Sequence, residues 1–232
     1  MDYQGHQIFI VHPNPDICKR LVRSLRRSEY ETYGFSSLDT DITVMQGDTV
    51  IFLLVSDDEA WDWRGFVSRA RELKISMRIS ALGTSELPEG FDSFIESSDD
   101  KGLEAIQKYL DSIKAQGYRH FVRFGSHFAS IATFNFHLGD RLYAGVIHDL
   151  SSKGMSCTFK PEPESFKPVT VENLNLNIHG YRAVLNGSFS SSRVVAGQVI
   201  HVFNFRENTP DDTMDHIYDF IYSSLETKLS LH

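Results

Sequence analysis

The spacing of apolar residues changes halfway along this 232-residue chain. Before Gly117, short apolar runs alternate with stretches whose apolar positions recur every three or four residues. Gln7–Val11 reads as a short buried strand, and Asp16–Ser28 as a helix with Ile17, Leu21, Val22 and Leu25 on one face. Asp48–Val55 predicts a second apolar strand, Trp63–Leu73 a helix on Phe66, Val67, Ala70 and Leu73, and Arg78–Gly83 and Ser93–Ile95 further strands. Lys101–Ala115 closes the half as a helix on Leu103, Ile106, Leu110 and Ile113. Strands alternating with helices predict a doubly wound α/β domain, its parallel sheet covered on both faces.

After Gly117 the style is different. Short β-type runs separated by Gly, Ser, Asn and Pro predict strands at Phe128–Leu138, Tyr143–His148, Met155–Phe159, Thr170–Ile178, Tyr181–Phe189 and Gln198–Phe205. Regular short strands with turn signals predict an antiparallel β-barrel or sandwich. Pro210–Leu229 follows as an amphipathic helix on Met214, Ile217, Phe220, Ile221 and Leu225. Two domains are expected, residues 1–116 and 117–232, with no internal repeat and no low-complexity linker.

Charge narrows the range of partners. The net charge is −8, and residues 1–117 carry 13 Lys/Arg against 20 Asp/Glu, leaving the second half close to neutral. Neither half has the basic excess of a domain that binds duplex DNA or RNA, so an anionic ligand must be held by a few well-placed cations. No run approaches the ~18 apolar residues of a membrane span, and Met1–Gln7 lacks the start of a signal peptide. Two distant cysteines, Cys18 and Cys157, suit a reducing cytoplasm, and the histidines fall in no metal-ligand spacing. There is no nucleophile elbow, P-loop or paired-carboxylate site. The expectation is a cytoplasmic binding protein without cofactor, metal or catalytic residue.

Two segments carry the chemistry. Arg119 and Arg123 form an Arg-x-x-x-Arg within Tyr118-Arg119-His120-Phe121-Val122-Arg123, and Asp149, Ser151 and Gly154 form an Asp-x-Ser-x-x-Gly. Taken singly, the first reads as exposed residues pairing with nearby carboxylates and the second as a turn. An Arg fork donates two hydrogen bonds to guanine O6 and N7, and it also pairs with phosphate and stacks on the purine. An ionised Asp is acceptor-only and suits guanine's N1–H and N2–H edge. In this order, bracketing two strands and followed by Gly197–Phe203 and a terminal helix, the motifs resemble the PilZ domain over residues 117–228. The resemblance implies a barrel that binds cyclic di-GMP, with Arg119 and Arg123 wrapping the ligand and Asp149, Ser151 and Gly154 on the barrel surface. It also implies that binding reorders the arginine segment and rearranges the domains. Many members have a basic residue where Tyr118 stands, which bears on how many ligands bind.

Residues 6–114 resemble a response-regulator receiver domain through Ile8–Ile17 and Gly65-Phe66. His12 and Pro13 occupy the positions of the acidic pair that holds magnesium, and neither supplies carboxylate oxygen. Asp57 falls at the acceptor position and Thr84 near the switch hydroxyl, but Glu96 and Ser97 stand where a lysine is expected. The resemblance implies a degenerate receiver serving as a dimerisation or docking module for a protein partner. Two other functions remain open at this point: a PilZ-fold interaction module that binds no nucleotide, and a regulator phosphorylated on Asp57. Trp61 and Trp63 mark either a partner surface or packing under a loop.

Overall fold

The structure is a computed structural model that describes residues 5–45, 48–73, 75–116, 121–125, 132–163, 167–178 and 180–230. It divides into two compact units, the second spanning Phe121–Lys228.

The first unit is a five-stranded, all-parallel sheet. Its strands are β1 (Gln7–Val11), β2 (Thr32–Phe35), β3 (Thr49–Leu54), β4 (Met77–Leu82) and β5 (Ser93–Ile95), in the order β2-β1-β3-β4-β5. Helices α1 (Pro15–Arg27), α2 (Trp63–Glu72) and α3 (Leu103–Ser112) follow β1, β3 and β5. Strand β3 is the near-continuous apolar run that burial on both faces demands. The start of α1 is fixed locally: Asn14 accepts hydrogen bonds from the Asp16 and Ile17 amides at 3.0 and 3.2 Å, and Pro15 opens the first turn. Leu21 and Leu25 of α1 then pack with Ile8, Ile10, Val50 and Phe52 of the sheet and Ile106 and Leu110 of α3.

Strand β2 has no counterpart in the sequence reading. It is four residues long and holds Gly34, where a Cβ would meet Cys18 Sγ and Val22 Cγ2 at 2.9 Å. The glycine that lets α1 lie against this edge also removes the strand's apolar signature. Helix α3 stops at Ser112, about one turn before the expected end, because Lys114 turns left-handed at φ 54°. The Ala115 amide then bonds back to the Leu110 carbonyl at 3.0 Å.

The second unit is antiparallel throughout. Strands β6 (Arg123–Gly125), β7 (Ala132–Leu138), β8 (Arg141–Ser151), β9 (Gly154–Phe159), β10 (Val169–Ile178), β11 (Tyr181–Val195) and β12 (Gln198–Phe205) precede helix α4 (Asp211–Ser230). The order β8-β7-β10-β11-β12-β9 closes through β8–β9 pairing into a six-stranded barrel, which removes exposed sheet edges. Strand β6 pairs with the last residues of β8, beyond the reach of β7. Phe134, Phe136, Phe159, Phe189 and Phe203 fill the interior, joined by Ile217, Phe220 and Ile221 of α4. Each such side chain, once fully buried, contributes about 1.5–3 kcal/mol. No helix among the described residues is long and apolar enough to cross a membrane.

Strand β8 runs three residues past the expected end at His148. The register shifts between Ile147 and Asp149, leaving His148 as a β-bulge. Ile147 and Leu150 are both 1% exposed and point into the barrel although they are three residues apart. Strict alternation would send Asp149 inward after Ile147. The extra residue resets the phase so that Leu150 enters the core, while the half-buried Asp149 and the buried Ser151, 6% exposed, alternate to the other side of the strand.

Candidate functional site

Asp149 and Ser151 sit in the middle of a three-strand patch on the outer barrel wall. Ser151 lies opposite Arg123 of β6 on one side and Gly154 of β9 on the other. Asp149 lies opposite Gly125 and Ser156. Residues separated by more than twenty positions in sequence are therefore lateral neighbours, about 4.8 Å apart along the hydrogen-bonding direction. Arg123 is placed here by its backbone. Arg119 lies outside the described residues.

Ser151, Ser152, Lys153 and Gly154 make the tight connection between β8 and β9. The Ser151 hydroxyl donates to the Gly154 carbonyl at 3.1 Å and accepts from the Lys153 amide at 3.3 Å. Its single proton is thus already used in the hairpin. Lys153 is exposed, with its Nζ 5.9 Å from the centre of the Phe121 ring. Beside it, the buried Ser152 hydroxyl has no hydrogen-bond partner among the described residues.

Gly154 has a purely structural reason to be glycine. A Cβ there would stand 2.3 Å from the Phe203 carbonyl oxygen and 3.2 Å from the Asn204 Cα of β12. Both are backbone atoms of a paired strand, so neither can move aside cheaply. Close strand approach, rather than an unusual turn conformation, sets this requirement.

Next to the patch a buried histidine pairs with an exposed glutamate. His201 is 3% exposed and its Nε2 is 2.8 Å from Glu162 Oε1. The ring meets Phe159 edge-on at 4.7 Å. Cys157 lies across from His201, fully buried. Burial, followed by the Glu162 and Asp149 carboxylates, pushes its thiol well above the ordinary range. The cysteine is a core residue without thiolate character.

In the first unit, the sequence-derived positions fall at the carboxyl ends of the strands. His12 is buried directly after β1; its Nδ1 accepts from the Asn14 amide at 3.0 Å and its Nε2 has no partner among the described residues. Burial lowers its pKa below the ordinary histidine value. Asp57 is exposed, three residues beyond β3. Thr84 is engaged in its own turn, donating to the Glu86 carbonyl at 3.1 Å. An open crevice of about 360 Å³ lies among Pro13, Ser36, Asp39, Asp58, Trp61 and Arg69, and Asp57 does not line it. Trp61 and Trp63 pack under the loop, their indole N–H groups donating to the Leu54 and Ser56 carbonyls at 2.8 and 3.2 Å. Each tryptophan is 7% exposed, so of the two readings of this pair the structure favours packing under a loop, with Trp61 also lining the crevice.

The sequence matches no protein-family model and no curated protein. Among solved structures it is similar to Escherichia coli YcgR in complex with c-di-GMP, at 16% identity and a TM-score of 0.41 over 49% of this chain and 48% of that one. The PilZ domain of Escherichia coli YcgR with c-di-GMP is similar at 18% identity and a TM-score of 0.40, over 48% of this chain and 93% of that one. The Borreliella burgdorferi PlzA protein in complex with c-di-GMP is similar at 19% identity and a TM-score of 0.33, over 59% and 50%. The chain spans about half the length of YcgR and of PlzA.

Proposed function

We propose that this protein is a PilZ-type receptor for cyclic di-GMP, with the ligand held on the outer wall of the barrel by Arg119, Arg123, Asp149, Ser151 and Gly154. The observation that carries this reading is register: Arg123 lies directly across from Ser151, and the His148 bulge turns Asp149 toward the same outer face. The chemistry is complementary from two sides. Guanidinium forks supply donors to guanine O6 and N7 and to phosphate, while the Asp149 carboxylate accepts from guanine N1–H and N2–H. Ser151 meets the ligand as an acceptor, or as a donor once its proton leaves the Gly154 carbonyl. Gly154 contributes a flat strand surface beside it.

The first unit is a degenerate receiver in this reading. Its strand order, β2-β1-β3-β4-β5, is the flavodoxin-like order whose crevice lies at the carboxyl ends of the strands. His12 and Pro13 occupy the metal-binding positions, and Glu96 and Ser97 stand where the receiver lysine would neutralise a phosphoryl group transferring to the exposed Asp57. The unit acts as a docking or self-association module, and ligand occupancy is signalled by rearrangement of the two units. The protein binds without catalysing.

Calorimetric titration of wild type, Arg123→Ala and Asp149→Ala with cyclic di-GMP tests the assignment. Either substitution is expected to weaken binding by about tenfold to a hundredfold, as loss of a charged hydrogen-bond partner does. Undiminished affinity in both variants would move the ligand elsewhere. Absence of binding in the wild type would leave an interaction module of the same fold.

A further inference from the structure

The outer wall does not end at Gly154. One line of register crosses five strands: Arg123 on β6, Ser151 on β8, Gly154 on β9, Asn204 on β12 and Ser188 on β11. Their neighbours Leu150, Met155, Phe203 and Phe189 are each 2% exposed or less, so Ser151, Gly154, Asn204 and Ser188 lie on the side of their strands away from the core. After Arg123 it contains only small or amide side chains and no charge. Gly154 adds no side chain to it, the Phe203 carbonyl oxygen standing where its Cβ would be, so Ser151 and Asn204 carry the next side chains along the line, two strand spacings or roughly 10 Å apart. A purine dinucleotide lying over Ser151 covers that distance.

Asn204 is exposed but oriented. Its Nδ2 donates to Ser190 Oγ at 2.8 Å, and its Oδ1 has no partner among the described residues. Ser190 is itself a bulge residue, set between Phe189 and Ser191 where the register of β11 against β12 shifts. The tether holds the amide and leaves one carbonyl acceptor free among the described residues, on a residue whose neighbour across the ladder, Gly154, has no side chain. Such an acceptor matches an amino donor, and it repels the carbonyl and ring-nitrogen acceptors on the other purine edge.

Resting on the cyclic di-GMP reading above, we propose that Asn204 is a base-specificity residue: its Oδ1 accepts from the exocyclic 2-amino group of the second guanine, while Asp149 holds the first. The test is a cycle of titrations with cyclic di-GMP and with cyclic di-IMP, whose hypoxanthine bases lack that amino group, using wild type, Asn204→Ala, Ser190→Ala and Asp149→Ala. Asn204→Ala should weaken cyclic di-GMP about tenfold and cyclic di-IMP less than twofold. Ser190→Ala, which frees the amide, should show a smaller loss with the same ligand selectivity. Equal penalties on both ligands, or no penalty in either variant while Asp149→Ala weakens binding, overturn the role of Asn204 and leave the receptor reading intact. A wild type that binds neither dinucleotide overturns both.

Discussion

Ser151 and Gly154 show why a binding motif must be weighed residue by residue. Each has a structural task before any ligand arrives: the Ser151 hydroxyl bridges the hairpin, and Gly154 lets β12 approach. Gly154→Ala should therefore cost about 1–3 kcal/mol through strand displacement, seen as a lower urea midpoint by circular dichroism. A variant as stable as wild type would mean the strands can part without penalty. Ser151→Ala should lose about 1 kcal/mol of stability as well as affinity, whereas Asp149→Ala should lose affinity alone. His12 has the opposite character, a buried ring with an unpaired nitrogen and a pKa held low by burial. Below the ordinary histidine value of about 6.5 the unfolded chain takes a proton that the folded chain refuses. Stability is thus present at neutral pH and lost as pH falls from that value toward the depressed folded pKa. Both tryptophans, Trp61 and Trp63, lie in the first unit, so their fluorescence isolates it. His12→Leu should flatten the acid-side slope of that transition, and an unchanged slope would remove His12 as its source.

Among the elements, the legible ones were those whose pattern is long. Strands β1, β3 and β12 and helices α1 and α4 announce themselves through continuous or periodic apolar residues. Strands β2 and β6 do not, because four residues around Gly34 and three residues ending in Gly125 are too short for alternation to register. The end of β8 was hidden for another reason: the His148 bulge breaks the alternation at the point where the site begins. Asp149, Ser151 and Gly154 were visible as a spacing, but their lateral order, and the place of Asn204 in it, exists only in the pairing of four strands. The bulge gives the element-scale prediction. Deleting His148 puts Ile147 and Leu150 two positions apart, so a strand without the bulge keeps Leu150 in the core and Asp149 on the other face. The His148 deletion should therefore retain a barrel melting transition alongside the tryptophan-reported one. Loss of the barrel transition in that variant would show that the bulge does more than correct the phase of the strand.

At the scale of the whole molecule, a net charge of −8 concentrated in the first half leaves the barrel nearly neutral, and a doubly anionic ligand meets little long-range repulsion there. Small-angle scattering with and without cyclic di-GMP should differ if occupancy rearranges the two units, and superimposable curves would argue for signalling confined to the barrel surface. Recognition of that dinucleotide by the β6–β8–β9 wall is what every functional role proposed for this chain depends on. Isothermal titration of the full chain with cyclic di-GMP addresses it directly. Saturable heat at micromolar concentration, largely abolished in Arg123→Ala, is the predicted result; a wild-type titration without heat, and without a shift in melting temperature, would contradict it.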